Sequence, residues 1–282
     1  VKNPVWRVDA FATEYVPVEK HDFNEAESDQ KFSGVYATHT VADLGLKYDF
    51  YLLALDRDDL SEGRYSNDER YTAGLRLAGT CKLTGIEYDI EGGWQFGDAD
   101  EAVADAPDRS VDIDAWFFAA ELGYTLADLA MKPRVYAGYD YASGDSDPAD
   151  GDAGTFNPLF PLGHAFFGYI DIIGRQNIQD ISGGVSCWPV ENKVQVKLDY
   201  HLFERAESAD ALYNAGGAVV RPADPAASKD VGSELDLTIN WKVSRSVLLN
   251  GGYSHFFAGD FIEETGADSD IDFAYVSAQY TF

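Results

Sequence analysis

Apolar and polar residues alternate along most of this chain. Between 86 and 96, Ile86, Tyr88, Ile90, Trp94 and Phe96 share one face, while Glu87, Asp89, Glu91 and Gln95 share the other. Between 194 and 202, Val194, Val196, Leu198, Tyr200 and Leu202 oppose Gln195, Lys197, Asp199 and His201. Leu235, Leu237, Ile239 and Trp241 oppose Glu234, Asp236, Thr238 and Asn240 in the same way. A period of two marks a strand with one apolar face. The pattern predicts twelve strands, at roughly 4–18, 31–41, 46–59, 70–81, 86–98, 112–127, 133–144, 179–190, 193–206, 231–243, 247–260 and 271–282. The faces of 31–41 stay unassigned, because its alternation is not clean.

Most of these segments are about twice the five or six residues usual in soluble strands, and match the roughly 9–11 that a tilted strand needs to cross a bilayer. Their connections alternate strictly in length. Short ones (42–45, 82–85, 128–132, 191–192, 244–246) take turns with long ones (19–30, 60–69, 99–111, 145–178, 207–230, 261–270). An up-and-down meander with tight turns on one rim and loops on the other gives this parity; a soluble β-sandwich has no reason to. The expected fold is therefore all-β, an antiparallel up-and-down transmembrane β-barrel of twelve strands in one domain, 1–282. The last stretch places Ala274, Val276, Ala278, Tyr280 and Phe282 on one face against Ser277, Gln279 and Thr281. Its terminal Phe is similar to the closing strand of bacterial outer-membrane barrels. The expected setting is that membrane, in contact with its lipid and lipopolysaccharide, with long loops extracellular and the short turns and C-terminus periplasmic.

Composition narrows the function. A formal net charge of -28 over 282 residues excludes a nucleic-acid binder, which needs a basic face. No window holds eighteen uninterrupted apolar residues, which excludes a helical span and leaves barrel strands open. Cys81 and Cys187 stand far apart, in no metal-ligand or redox spacing. There is no Gly-x-Ser-x-Gly motif, and His39, His201 and His255 fall on different strands, so the chain is not expected to be an enzyme.

With the apolar register toward lipid, Trp94, Phe96, Trp116, Phe118, Leu198, Tyr200, Leu237, Ile239 and Trp241 form the outer band. The opposite register lines the interior, and its candidate pore residues are Arg7, Lys47, Arg70, Arg76, Arg134, Asp140, Lys197, Asp199, Arg205, Glu234 and Asp236. The two signs nearly balance inside. Inward Arg and Lys are expected to favour anions, or else to form Arg–carboxylate ladders that brace the wall. The long loop 145–178 opens with Asp145, Asp147, Asp150 and Asp152 around a Gly turn. Such carboxylates either hold Ca²⁺ or form a solvated acidic tip. The apolar run that follows, 165–173, must be buried somewhere. Folding over the barrel mouth or into the lumen answers that need, and Phe156, Asn157, Phe160 and His164 become the candidate gate, with Phe156, Phe160 and Phe166 sheltered.

Five stretches resemble the alginate export family of outer-membrane proteins: 139–145 (YDYASGD), 154–161 (GTFNPLFP), 174–180 (GRQNIQD), 232–238 (GSELDLT) and 253–261 (YSHFFAGDF). The resemblance implies a monomeric, eighteen-stranded barrel passing an anionic polysaccharide through an Arg- and Lys-lined constriction. On that basis this chain corresponds to the C-terminal two-thirds of a member, with about six further strands between its twelfth strand and its first. Arg7, Arg70, Arg76, Arg134, Lys197 and Arg205 then become candidates for the constriction. Solutes would be anionic polysaccharide or small acidic molecules, and partners would include periplasmic export or envelope proteins. The alternative is a structural barrel that scaffolds another envelope component.

Overall fold

The computed structural model describes residues 5–18, 20–58, 64–102, 107–164 and 166–282, without the side chain of Glu27. Glu19 in the first acidic loop and Ala165 in the apolar run lie outside the described residues. All twelve expected strands are present: β1 (Val5–Tyr15), β2 (Glu27–Val41), β3 (Leu46–Arg57), β4 (Tyr65–Thr80), β5 (Ile86–Glu101), β6 (Arg109–Thr125), β7 (Arg134–Ala142), β9 (Ile178–Val190), β10 (Val194–Arg205), β13 (Asp230–Lys242), β14 (Val247–Ala258) and β15 (Ile271–Tyr280). Three short strands inside the long loops, β8 (Asp152–Ala153), β11 (Leu212–Tyr213) and β12 (Val219–Arg221), and a helix, α1 (Asp260–Thr265), complete the fold. Periodicity could not reveal elements of two or three residues.

Each long strand pairs antiparallel with the next in one continuous sheet, β1-β2-β3-β4-β5-β6-β7-β9-β10-β13-β14-β15. Tight turns close one rim. Gly45 (φ 66°) and Gly85 (φ 77°) supply the left-handed residue that ends the β2–β3 and β4–β5 turns. Among the described residues β1 and β15 are not paired with each other, so continuous closure between 5–15 and 271–280 is not formed. Among the described residues β1 and β15 therefore each pair on one side only.

The faces follow the alternation. Trp94, Trp116 and Trp241 are exposed by 46 to 51%, and Phe118, Leu198, Tyr200, Leu237 and Ile239 are exposed with them. Phe96 of the expected outer band is half-buried, packed between Trp94 and Tyr71. The other face is not uniformly polar. Toward the long-loop rim, Ala115 and Phe117 (β6), Ile178 (β9), Phe203 (β10), Val231 (β13) and Phe256 (β14) form one core with Phe156, Phe167 and Ile173 of the long loop and Phe261 of α1. The loop is the filling of the sheet's concave side.

Candidate functional site in the lumen

The loop 143–177 crosses the interior and is held at both ends. Ser143 anchors its start: the Trp116 N–H donates to Ser143 Oγ (2.9 Å), which donates to the Gly154 carbonyl (2.8 Å). Farther on, the Asn157 N–H donates to Gln95 Oε1 at 2.9 Å, and Gln95 Nε2 donates to the Asn157 carbonyl at 2.7 Å. Phe160 packs edge-on against Phe32 of β2. Across the bore, Tyr169 stacks on Tyr275 of β15, ring centroids 4.2 Å apart, and the N–H groups of Tyr169 and Ile170 both donate to Glu234 Oε1, at 2.6 and 2.9 Å. The buried Asn177 closes the loop by donating to the carbonyls of Glu207 and Ala211. A loop with backbone groups satisfied by wall side chains at both ends is seated, not draped.

Of the gate residues, Phe156 is buried against Phe117, and Asn157 makes the Gln95 contacts. Phe160 and Phe166 are not sheltered: they are 53% and 55% exposed. Phe167 takes the buried place that the sequence reading gave Phe166. His164 is exposed and stacks on Tyr169.

Beneath the loop lies a polar cavity of about 580 Å³. Its wall carries Arg76, Lys197, Asp140, Asp199 and Asp236 from the expected pore set, together with Asp89, Glu91, Glu121, Asp180 and His201. The loop contributes Arg175, His164, Phe166 and Tyr169. Two of the wall's cross-braces rest on close approach to glycine. Tyr51 of β3 lies across Gly74 of β4, where a Cβ would stand 2.0 Å from the ring, and so its hydroxyl reaches Glu91 of β5 at 2.7 Å. Tyr136 of β7 crosses Gly184 of β9 to reach Asp199 of β10 in the same way.

The candidate cations are engaged. Arg76 binds Asp89 through two nitrogens, one of them Nε at 2.7 Å. Arg134 joins Glu87 and Glu121, each at 2.6 Å. Lys47 pairs with the buried Asp49 at 2.9 Å, and Lys197 with Asp199 at 3.1 Å. Arg175 holds Asp140 at 2.5 Å while lying over the Phe166 and Phe167 rings. Arg7 sits exposed on the β1 edge, paired with Asp9 at 2.8 Å. Arg7, Lys47, Arg134 and Glu234 do not line the cavity, and neither do Arg70 and Arg205, which are fully buried. Arg70 is locked between Asp68 and Gln95. Arg205 lies over Phe261 at 3.7 Å and donates to the carbonyls of Ser208, Asp210, Asp224, Ala227 and Ser228. The ladder reading of the sequence describes these residues better than the free-cation reading.

The four loop aspartates are not brought together. Asp145 is buried and takes Arg64 at 2.7 Å. Burial pushes its carboxyl above the usual range, against the opposing pull of Arg64. Asp147 and Asp150 accept N–H groups within the loop tip, from Ala149 and Asp152. Among the described residues no cluster of His, Cys, Asp or Glu is arranged to hold a metal.

Sequence reasoning did not single out Arg175, Tyr169 or Asp180. Arg175 and Asp180 lie inside the 174–180 stretch that resembles the family, and His201 lies in the inward register of its strand. That placement was the available signal.

Residues 1–276 match the sequence profile described as alginate export. The chain belongs to the alginate export family. Together with an apolar outer face and a polar interior, membership places the chain in the bacterial outer membrane as a channel. No curated protein matches the chain significantly. Similar solved structures include a NanC porin, 7% identical over 98% of this chain and 99% of that one with a TM-score of 0.39. Another is OmpT, an outer membrane protein of Vibrio cholerae, 15% identical over 98% and 96% of the two chains, also with a TM-score of 0.39. At these scores neither likeness bears on what this chain carries.

Proposed function

We propose that this chain supplies the wall and the inward loop of a non-enzymatic outer-membrane channel for hydrophilic solutes. The observation that carries the reading is the half-open cavity of about 580 Å³, lined by charged side chains, between the seated loop and a wall whose opposite face is apolar. Lipid surrounds that outer face, a solute pathway follows the charged inner face, and the loop narrows it. In this reading the long loops are extracellular and the tight turns periplasmic, as in other barrels with this parity of connections.

Family membership supports a more specific reading, in which the solute is an acidic polysaccharide or a smaller acidic molecule handed over by periplasmic export proteins. Its support is the family match, since Arg76, Arg134, Arg175, Lys47 and Lys197 are already in ion pairs. The scaffold reading, a barrel that holds another envelope component, has only the dense wall bracing in its favour.

The test is conductance of the purified protein in planar bilayers. Discrete steps that widen when residues 145–178 are deleted support the channel, and block by uronic-acid oligosaccharides supports the acidic solute. A folded, inserted protein that conducts nothing with or without the loop removes the channel and leaves the scaffold.

A further inference from the structure

The long loop divides its apolar residues into two sets. Phe156, Phe167 and Ile173 enter the core that seats it. Phe160, Leu162 and Phe166 stay exposed, although the loop turns inward. An apolar patch left in water and rimmed by polar groups marks a place for a ligand. Seating the loop does not account for this one.

Both exposed rings are held in place. Phe160 meets Phe32 of β2 edge-on, ring centroids 4.8 Å apart. Behind Phe166 the Arg175 guanidinium lies 4.8 Å from the ring centroid, and Asp140 of β7 fixes that guanidinium at 2.5 Å. Backed by Arg175 on one face, the exposed Phe166 ring turns its other face outward. The segment between the rings is pinned as well: the His164 N–H donates to Asp171 Oδ1 at 2.7 Å, and His164 Nδ1 lies 3.0 Å from the Tyr169 carbonyl.

Phe160 lines a small cavity of about 160 Å³ against the loop, and Phe166, His164 and Arg175 line both this one and the larger cavity of about 580 Å³. Phe166 is thus part of the ridge between them. On the larger side the wall adds the neutral amides of Asn240 and Asn250, which both donate and accept and so suit hydroxyl groups. An acidic sugar presents a carboxylate, hydroxyl groups and the C–H face of its ring. Arg76, Arg175 and Lys197 of the cavity are each in an ion pair, so what remains to be met is the hydroxyls and the C–H face. Slightly positive C–H groups pack on the negative face of an aromatic ring.

We propose that Phe160 and Phe166 form a sugar-stacking subsite, which takes the C–H faces of pyranose rings as a polysaccharide passes from one cavity to the other while Asn240 and Asn250 meet its hydroxyl groups. The proposal rests on the acidic-polysaccharide reading and names the part of the solute that this loop holds.

The experiment is block of the full chain in planar bilayers by uronic-acid oligosaccharides, read as a fraction of each variant's own open current. Phe166→Leu keeps an apolar side chain of similar bulk and removes the ring. Its half-blocking concentration should rise roughly two- to tenfold, and that of Phe160→Leu should rise likewise. Phe166→Tyr, which keeps the ring, should block as wild type does, and so should Leu83→Ala, at an exposed tight turn on the opposite rim. Wild-type block in both leucine variants, or a loss in Phe166→Tyr as large as in Phe166→Leu, overturns the proposal and leaves the acidic-polysaccharide reading standing. A wild type that conducts and that no uronic-acid oligosaccharide blocks overturns the two together.

Discussion

Gly168 offers the sharpest perturbation of the seated loop. Its φ of +80° lies in the left-handed region, where a residue with a Cβ costs about 1–2 kcal/mol. A Cβ there would also stand 2.4 Å from the carboxyl carbon of Glu234. Glu234 is buried, and its Oε1 holds the Tyr169 and Ile170 N–H groups. It can retreat only by releasing one or both. A hydrogen bond to a charged group contributes about 1.5–3 kcal/mol, so strain plus one lost bond should weaken the loop's seating by roughly 2.5–5 kcal/mol in Gly168→Ala. The strands themselves do not depend on this contact. The barrel should therefore keep its heat-resistant migration on gels while its conductance rises and becomes noisy, and the loop should be cleaved faster by protease. Glu234→Ala, which removes the acceptor from the other side, should behave alike. A Gly168→Ala protein with wild-type conductance, noise and protease resistance would refute the idea that this clamp seats the loop.

Other outcomes follow from the same contacts. Phe156→Ala removes a buried ring that packs on Phe117 at 4.9 Å between centroids; it should cost about 3–5 kcal/mol of loop packing, read as accelerated loop proteolysis. Arg70→Ser leaves the buried Asp68 without the Arg70 contact, so it should destabilise by up to about 3–5 kcal/mol in urea unfolding and leave ion selectivity unmoved, because Arg70 does not line the cavity. Gly74→Ala should push Tyr51 off Glu91 and lower the unfolding midpoint with the loop intact. The Asp145 carboxyl titrates above its ordinary range because it is buried. Its contribution to loop packing is thus fully present below the unfolded value of about 4 and is lost as pH rises through the higher folded value. Asp145→Asn should therefore seat the loop at neutral pH at least as firmly as wild type, with a flatter dependence of protease resistance on pH.

The strands were legible because a bilayer enforces period two over a long run: of the outer band, Trp94, Trp116, Phe118, Leu198, Tyr200, Leu237, Ile239 and Trp241 are exposed and Phe96 packs on neighbouring rings, and the tight-turn rim keeps its parity. That the long loop turns inward was legible from its apolar content. Which of its aromatics would be buried was not. Phe166 and Phe167 are chemically identical neighbours, and only the path of the chain past Arg175 and the core around Ile173 sends one to the cavity and the other inside. The same limit applies to charge. The inward register of Arg76, Arg134 and Lys197 followed from alternation, but their partners depend on strand stagger, which the sequence pattern does not set. Arg205 shows the failure most plainly, an inward arginine absorbed by five loop carbonyls that no periodicity announces.

The central claim is that one face of these strands meets lipid and the other a conducting lumen, and adjacent residues on β10 separate the two. In a background with Cys81 and Cys187 replaced by Ser, single cysteines at Lys197 and Leu198 are reconstituted in planar bilayers and treated with a charged, water-soluble thiol reagent. The account predicts that current through the position-197 variant changes at once, while current through the position-198 variant does not. An equal response at both positions, or a response at 198 alone, would contradict it.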